Sequence, residues 1–361
     1  MFTKNQICRM AAVLMVITLL VGACGTAPTP QVEIKEVEVT RAPATIVRFV
    51  FAPDPLMKYM QDTGIVAKYE ELYNMRLQTI STWDEAAFFG GGHADIASTG
   101  DYEVTALAQE TGQDYVIFGL YNLGRVPIWV MADSPYQSIK DLKGKKIGVP
   151  GALSSTMLWG IMLKETEGVD LRVGSTEFNV IVNEHVVNGE LLRRGEIDAG
   201  IIIPEALLPE IRDGKVRCLY PECSTYEYYR AHFDPAKQHK GVPGNVFIST
   251  KAWFDANPGA VQFFLAVWEE GLKAWKENRR DIIRLYPEDW GIDPNSETFD
   301  QDVEVMTKWL TDHDWFVDTV YLDETWIQKE SPLFDLMRKT GFMPQDMANP
   351  VFVPVKPEPL P

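Results

Sequence analysis

The chain has 361 residues, with 34 Lys or Arg and 51 Asp or Glu, which gives a formal net charge of −17 at pH 7. Such an acidic protein is not expected to bind nucleic acid or an anionic membrane surface, because like charges repel. An anionic small ligand is not excluded, since a local helix end can outweigh a distant net charge. A single core stops growing at about 250–300 residues, so the length indicates two lobes.

The first residues have the pattern of a bacterial lipoprotein signal peptide. Lys4 and Arg9 precede the uncharged apolar run "MAAVLMVITLLVGA", which is shorter than the roughly 20 residues of a spanning helix. The run ends in "LVGAC", with small residues before Cys24. We expect residues 1–23 to be removed, and Cys24 to carry acyl chains such as palmitate that anchor the protein at the extracytoplasmic face of the cell membrane. An ordinary signal peptide with a chance Cys is the alternative.

Residues 24–44 are predicted to be a flexible tether, because Pro, Thr and alternating charges leave little to bury. Further along, the phrase "CLYPEC" holds Cys218 and Cys223. Outside the cytoplasm these two residues form either a disulfide or two free thiols, and Pro221 between them favours a turn. We expect no metal site, because the five His are scattered without ligand spacing.

The chain from Thr45 to residue 132 alternates between strand and helix patterns. The β-branched and aromatic runs "TIVRFVFA", "MRLQTIST", "ADIASTG", "YVIFGLYN" and "VPIWVMAD" predict strands. Helix patterns lie between them, at 56–73, in "WDEAAFFGGG" and in "DYEVTALAQETG". This order is typical of a parallel sheet with helices on both faces.

The alternation restarts after residue 133. Strands are predicted at 146–149 and in "STEFNVIV", "IDAGIIIP" and "VRCLY", with helices in "ALSSTMLWGIMLKETEG", "NEHVVNGELLRRG" and "EALLPEIRDG". The phrases "GHADIASTG" and "GEIDAGIII" occupy the same position in the two units, between a helix end and a strand. We interpret them as a structural repeat in which each Asp is a turn residue.

After Thr250 helix patterns dominate, beginning with "KAWFDANPGAVQFFLAVWEEGLKAW". The Pro-rich tail "VFVPVKPEPLP" is expected to fray. We therefore predict an α/β protein in which residues 45–132 and 251–361 form lobe 1 and residues 133–250 form lobe 2.

Candidate ligand contacts follow from one rule: in an open parallel sheet, ligands bind outside the carboxyl ends of the strands. The candidates are Asp54, Trp83, Ser98, Thr99, Asp101, Tyr102, Tyr121 and Asn122 in lobe 1, and Ser154, Ser155, Thr156, Trp159, Asn179 and Glu205 in lobe 2.

The candidates divide by chemistry. Hydroxyls at 154–156 begin a helix and suit an anion or a group of hydroxyls, although plain helix capping is the alternative. We expect Asp54, Asp101, Asn179 and Glu205 to form hydrogen bonds to the ligand, with a helix-end acid as the alternative at Glu205. The aromatic candidates are expected to stack on a flat ring, or else to be core residues: Trp83, Tyr102, Tyr121 and Trp159.

The phrase "SPYQSIKDLKGKKIGVPG" resembles the segment that opens the second lobe of bilobed periplasmic-type solute-binding proteins. The resemblance extends from about residue 45 to 345. It implies the type II fold, with two mostly parallel sheets joined by crossing strands, and a monomer that binds a small molecule between its lobes without any cofactor. It also implies ABC permease and ATPase subunits as partners.

The phrases "DLKGKKIGVPG", "LRRGEIDAGI" and "VFISTKAWFDANPGAVQFFLAVWEEGLKAW" resemble one branch of these proteins more narrowly. That branch contains binders of aliphatic sulfonates, nitrate and thiamine pyrimidines, and the riboflavin-binding lipoproteins beside them. The resemblance implies a riboflavin ligand, with a thiamine-pyrimidine precursor or an aliphatic sulfonate as alternatives. Pyrimidine synthases share the fold and offer an enzymatic alternative, which we disfavour because their Cys-rich iron motif is missing from this sequence.

Overall fold

The computed structural model describes residues 44–234 and 240–361. The predicted signal peptide, the lipidation site Cys24 and the tether up to residue 43 lie outside these described residues. Within the two described ranges, no helix is both long and apolar enough to cross a membrane.

The first sheet has six strands, in which both parallel and antiparallel pairs occur. They are β1 (Thr45–Phe51), β2 (Met75–Ser81), β3 (Ile96–Thr99), β4 (Tyr115–Leu123), β10 (Pro243–Thr250) and β11 (Val351–Phe352). The order across the sheet is β11-β4-β10-β3-β1-β2. β1 runs parallel to β2 and β3, whereas β10 runs antiparallel to β3 and β4.

The second sheet has five strands. They are β5 (Ile128–Met131), β6 (Lys146–Val149), β7 (Asn179–Val182), β8 (Ala199–Ile201) and β9 (Val216–Cys218). The order is β7-β6-β8-β5-β9. β6 runs parallel to β7 and β8, and β5 runs antiparallel to β8 and β9.

Helices connect the strands, as the alternating pattern predicts. Within the described residues they are α1 (Pro55–Asp62), α2 (Ile65–Tyr73), α3 (Glu85–Gly90), α4 (Asp101–Thr111), α5 (Ser154–Glu167), α6 (His185–Arg193), α7 (Leu208–Arg212), α8 (Thr225–His232), α9 (Lys251–Ala256), α10 (Pro258–Leu285), α11 (Phe299–Asp312) and α12 (Glu324–Thr340). The single helix predicted at 56–73 is two helices, because Gly64 adopts a φ of +76° between them.

Sheet membership differs from the predicted lobe boundaries at two strands. β5 ends before residue 132 but belongs to the second sheet, and β10 ends at Thr250 but belongs to the first sheet. The chain thus crosses between the sheets before β5 and returns before β10. Both of these strands run antiparallel to their neighbours, which makes each sheet mixed.

The recurring glycine-aspartate phrase holds the same position in both sheets. Before β3, the Asp95 carboxylate accepts from the Arg48 backbone N–H on β1 at 2.9 Å, and the Asp95 N–H donates to the Arg48 carbonyl at 2.8 Å. Before β8, Asp198 makes the same two bonds to Lys146 on β6, at 3.0 and 2.9 Å. The same backbone contact in each sheet supports the interpretation of these phrases as a structural repeat.

The described residues form three clusters of buried hydrophobic side chains, of which the third lies around Trp129. The first surrounds Phe49, Phe247 and Trp268, whose rings meet edge to face or tilted. The second surrounds Trp159 and includes Leu333 and Phe334 of α12, so this late helix packs against the second lobe. The tail then returns to the first sheet, where β11 runs parallel to β4; the prediction that it frays is therefore wrong for these residues.

Candidate ligand-binding cleft

A cavity of about 920 Å³ lies where the carboxyl ends of several strands from the two sheets meet. From the first sheet it receives Asp54 after β1, Trp83 after β2 and Asn122 at the end of β4. From the second it receives Gly151 after β6 and Ile203 after β8. Both lobes therefore contribute to one cleft, as the strand-end rule predicts.

The cleft wall is acidic. Among the lining residues that the structure describes, Arg125 is the only Lys or Arg. The lining carboxyl groups belong to Asp54, Asp84, Glu85, Glu103, Glu110 and Glu184. A wall of this charge favours hydrogen-bond donors and cations and repels anions.

Two of these carboxyl groups have raised pKa values. Burial raises the pKa of Asp54 to about 7, although the N–H of Leu56, which donates at 2.7 Å, and the charge of Arg125 act in the opposite direction. Burial also raises the pKa of Glu85 to about 8, and the carboxylates of Glu103 and Asp84 add to this rise. Near neutral pH each group can therefore either donate or accept a hydrogen bond.

The charge of Arg125 is already compensated within the protein. Its guanidinium donates to the carboxylate of Glu205, and the guanidinium carbon lies 4.2 Å from the centroid of the Trp315 ring. The two charged side chains are 17% and 8% exposed, so the pair is largely shielded from water. Arg125 is consequently a weak attractor for a second anion.

His185 and Trp83 face each other from different lobes. The ring centroids are 6.0 Å apart in an edge-to-face arrangement. Nδ1 of His185 accepts from the Ile203 N–H at 3.3 Å, and burial lowers the pKa of His185 to about 4, so the ring is neutral at physiological pH. Trp83 is 55% exposed, which leaves an indole face open for stacking.

Several buried polar atoms around the cleft have no hydrogen-bond partner among the residues that the structure describes. Those on lining residues are Glu85 Oε2, Tyr121 Oη, Ser155 Oγ, Thr225 Oγ1 and Trp315 Nε1. Buried polar groups are normally paired, so this set of donors and acceptors suits a polar organic solute.

Residues 80–281 match the family described as NMT1/THI5 like. The chain belongs to the NMT1/THI5-like family. The sequence matches no curated protein.

Solved structures resemble this NMT1/THI5-like protein in fold. The alkanesulfonate-binding protein SsuA from Xanthomonas axonopodis pv. citri, bound to MOPS, superposes with a TM-score of 0.65 at 16% identity, over 87% of this chain and 99% of that one. The periplasmic aliphatic sulphonate binding protein SsuA from Escherichia coli superposes with a TM-score of 0.64 at 18% identity, over 87% and 94%. The α/β periplasmic-binding-protein fold expected from the sequence is thereby confirmed.

The cleft of this NMT1/THI5-like protein brings together part of the predicted site. The predicted residues that line it are Asp54, Trp83, Tyr102, Tyr121, Asn122, Ser154 and Ser155. Glu205 lies beside it, in a small pocket of about 70 Å³ that shares Asp54, Trp83 and Arg125 with the main cavity. Contact of these residues with a ligand stays a prediction.

The other predicted residues do not line the cavity. Ser98 and Thr99 instead form hydrogen bonds to residues that line the cleft. The Ser98 hydroxyl accepts from Asn245 at 3.0 Å, and the Thr99 hydroxyl donates to Glu103 at 2.8 Å. Thr156 is buried one residue beyond the lining.

Three predicted ligand contacts lie away from the cavity, each for a different reason: Trp159, Asn179 and Asp101. Trp159 is a core residue whose indole N–H donates to the Val126 carbonyl at 2.9 Å. Asn179 begins β7, so it lies at the amino end of its strand rather than the carboxyl end. Asp101 is fully buried, its Oδ1 accepts from the Tyr102 N–H at 2.7 Å, and its carboxyl group interacts electrostatically with that of Glu330 on α12.

Sequence reasoning missed several lining residues. Arg125 follows β4 by two residues, so the strand-end rule could have found it. Glu85 and Glu103 fall within the first turns of α3 and α4. An acidic residue at that position is explained by its favourable interaction with the helix dipole, so the sequence gives no sign of a binding role. Trp315 enters from the segment after α11, and no local pattern connects it with a strand end.

Proposed function

We propose that this protein is the extracytoplasmic solute-binding component of an ABC importer and that it captures riboflavin in the cleft. In this proposal Cys24 anchors the protein to the membrane, and a separate permease and ATPase complete transport. A ligand held between the lobes favours the closed arrangement, because it contacts both sides only in that state. The observation that carries the proposal is the large, acidic and aromatic cleft.

The size and chemistry of the cleft support a riboflavin-like ligand. Ligand pockets span about 300–1,000 Å³, and the volume of about 920 Å³ is near the upper end. Riboflavin combines a flat ring, an N–H donor and a chain of hydroxyls without a net charge. The exposed indole of Trp83 suits the ring, and the carboxyl groups of Asp54 and Glu85 suit the donors.

An aliphatic sulfonate is the second candidate, favoured by the fold likeness to the SsuA proteins. The charges of the cleft argue against it. Arg125, the only Lys or Arg among the described lining residues, is paired with Glu205, and the carboxylates of Asp84, Glu103, Glu110 and Glu184 on the wall repel a sulfonate. A thiamine pyrimidine, which presents amine donors, fits this wall better than a sulfonate does.

We propose binding rather than catalysis. The pyrimidine synthases that resemble this chain use a Cys-rich iron motif. In the described residues, Cys218 and Cys223 are joined in a disulfide and do not offer free thiols.

Fluorescence titration of the purified, ligand-stripped protein with riboflavin tests the proposal. We expect flavin emission to be quenched by stacking and to saturate at one ligand per chain. In parallel, calorimetry measures the binding of a thiamine pyrimidine and of taurine to the same protein. Tight binding of either compound without binding of riboflavin would overturn the ligand assignment and leave solute binding intact, whereas no binding of any of them would count against the importer role.

A further inference from the structure

Glu103 of the first lobe is hydrogen-bonded to the start of α5 in the second lobe. One carboxylate oxygen, Oε2, accepts from the Gly100 N–H at 2.9 Å and from the Thr99 hydroxyl at 2.8 Å, which caps α4. The other oxygen, Oε1, accepts from the backbone N–H of Ser154, the first residue of α5. The Glu103 carboxylate thus caps its own helix, α4, and also accepts a hydrogen bond from the N-terminus of α5 in the other lobe.

The N-terminus of α5 has the features of an anion site. α5 is 14 residues long, so its aligned peptide dipoles place partial positive charge, and N–H groups that have no partner within the helix, at its first turn. The side-chain hydroxyls of Ser155 and Thr156 at the same place are buried, with residue exposures of 6% and 0%, and find no hydrogen-bond partner in the described part of the chain. Ser155 is also one of the residues that line the cleft.

We propose that Glu103 is a specificity-determining residue whose carboxylate occupies the N-terminus of α5 as an internal anion and excludes sulfonates and other oxyanions from the cleft. This inference rests on the proposed function, because it assumes that the solute binds in the cleft. It assigns Glu103 a second role beyond the capping of α4.

The surrounding charges strengthen the exclusion. An incoming oxyanion would meet Glu103 at the helix end and the carboxyl group of Glu110 on the same wall. Arg125 offers no compensation, because it is paired with Glu205. A neutral solute does not suffer this repulsion.

Glu103→Gln separates the two roles of this side chain. The amide oxygen of Gln can still accept from the Gly100 N–H, which is the usual capping arrangement. The amide NH₂ is a donor and cannot accept from the Ser154 N–H, and the negative charge is lost. Glu110→Gln is the matched control: it lies on the same helix, lines the same cavity and loses the same charge, but it is exposed at the far end of α4.

Calorimetry with sodium sulfate, taurine and riboflavin on the three proteins tests the inference. We expect Glu103→Gln to bind sulfate and taurine at least about tenfold more tightly than the parent protein, and Glu110→Gln to gain less than about twofold. Equal gains in the two variants, or tight taurine binding by the parent protein, would overturn the role of Glu103. A failure of all three proteins to bind riboflavin would overturn the proposed ligand instead, since the sulfate comparison does not depend on it.

Discussion

Arg125 and Glu205 form an ion pair between the two sheets, one residue following β4 of the first sheet and the other following β8 of the second. Arg125 also lies against the face of Trp315, with 4.2 Å between the guanidinium carbon and the ring centroid. The pair therefore ties the two lobes together at the cleft and fixes the position of an aromatic lining residue.

Removal of Glu205 should destabilise the protein. Glu205→Ala leaves the largely buried guanidinium of Arg125 without its main partner, although Asp54 is near enough to share part of the charge. We expect a loss of about 2 kcal/mol in the free energy of unfolding, between the values for exposed and buried pairs. Urea unfolding monitored by Trp fluorescence measures it. Glu304→Ala, which breaks the exposed pair with Arg280, is the control and should cost less than about 0.5 kcal/mol.

Trp83 should contribute to riboflavin binding through its exposed ring. Trp83→Ala is expected to weaken the affinity by about tenfold to a hundredfold, because stacking on an aromatic ring contributes about 1–3 kcal/mol. The same flavin titration measures the change. Phe88 on α3 is also an exposed aromatic residue but does not line the cleft, so Phe88→Ala should leave the affinity unchanged. Equal losses in both variants would mean that the ligand does not stack on Trp83.

The buried carboxyl groups of Asp101 and Glu330 should make stability depend on pH. Burial raises the pKa of Asp101 to about 6, and burial together with the charge of Asp101 raises the pKa of Glu330 well above its usual value. The folded protein therefore retains protons that the unfolded chain releases above about pH 4. The stability that the pair contributes is complete below that pH and is lost as the pH rises through the folded-state pKa values.

Glu330→Gln should remove much of this dependence, because the amide donates to the Asp101 carboxylate without carrying a charge. At pH 8 we expect the variant to be more stable than the parent protein by at least about 1 kcal/mol, and the two to converge at about pH 4 and below. Chemical unfolding at both pH values measures the difference. Glu324→Gln, an exposed residue in the first turn of the same helix, should show the parent's pH dependence.

The disulfide between Cys218 and Cys223 should stabilise the second lobe. It closes a short loop that contains Tyr220, whose hydroxyl donates to Glu167 and whose ring stacks on Trp159 at 5.9 Å between centroids. For so short a loop we expect reduction to cost about 2 kcal/mol. Guanidinium unfolding with and without reductant measures this. The double variant Cys218→Ser/Cys223→Ser should match the reduced protein and show no response to reductant.

The sequence allowed the two α/β units to be predicted because their strands are rich in β-branched and aromatic residues. It did not allow the sheet membership of β5 and β10 to be predicted. A strand beside a crossing of the chain can pair with either sheet, and only the packing of the whole molecule decides which.

The site was predictable only where a residue directly follows a strong strand pattern. Asp54 and Trp83 satisfy this condition and line the cleft. Asn179 does not, because the polar residues before β7 gave no sign of where that strand begins. Trp315 could not be predicted, since it reaches the cleft through contacts between distant parts of the chain.

The short strand β11 protects an edge of the first sheet, so its removal affects the solubility of the protein. Every residue of β4 is buried, and Val351 and Phe352 pair with Val116 and Ile117 on the side of β4 that β10 does not cover. A protein shortened before Val351 would present unpaired N–H and C=O groups at Val116 and Ile117, near the start of this apolar strand. Such an edge is a template for pairing with another chain, so the truncated protein would be prone to aggregation even though the ligand cleft is untouched.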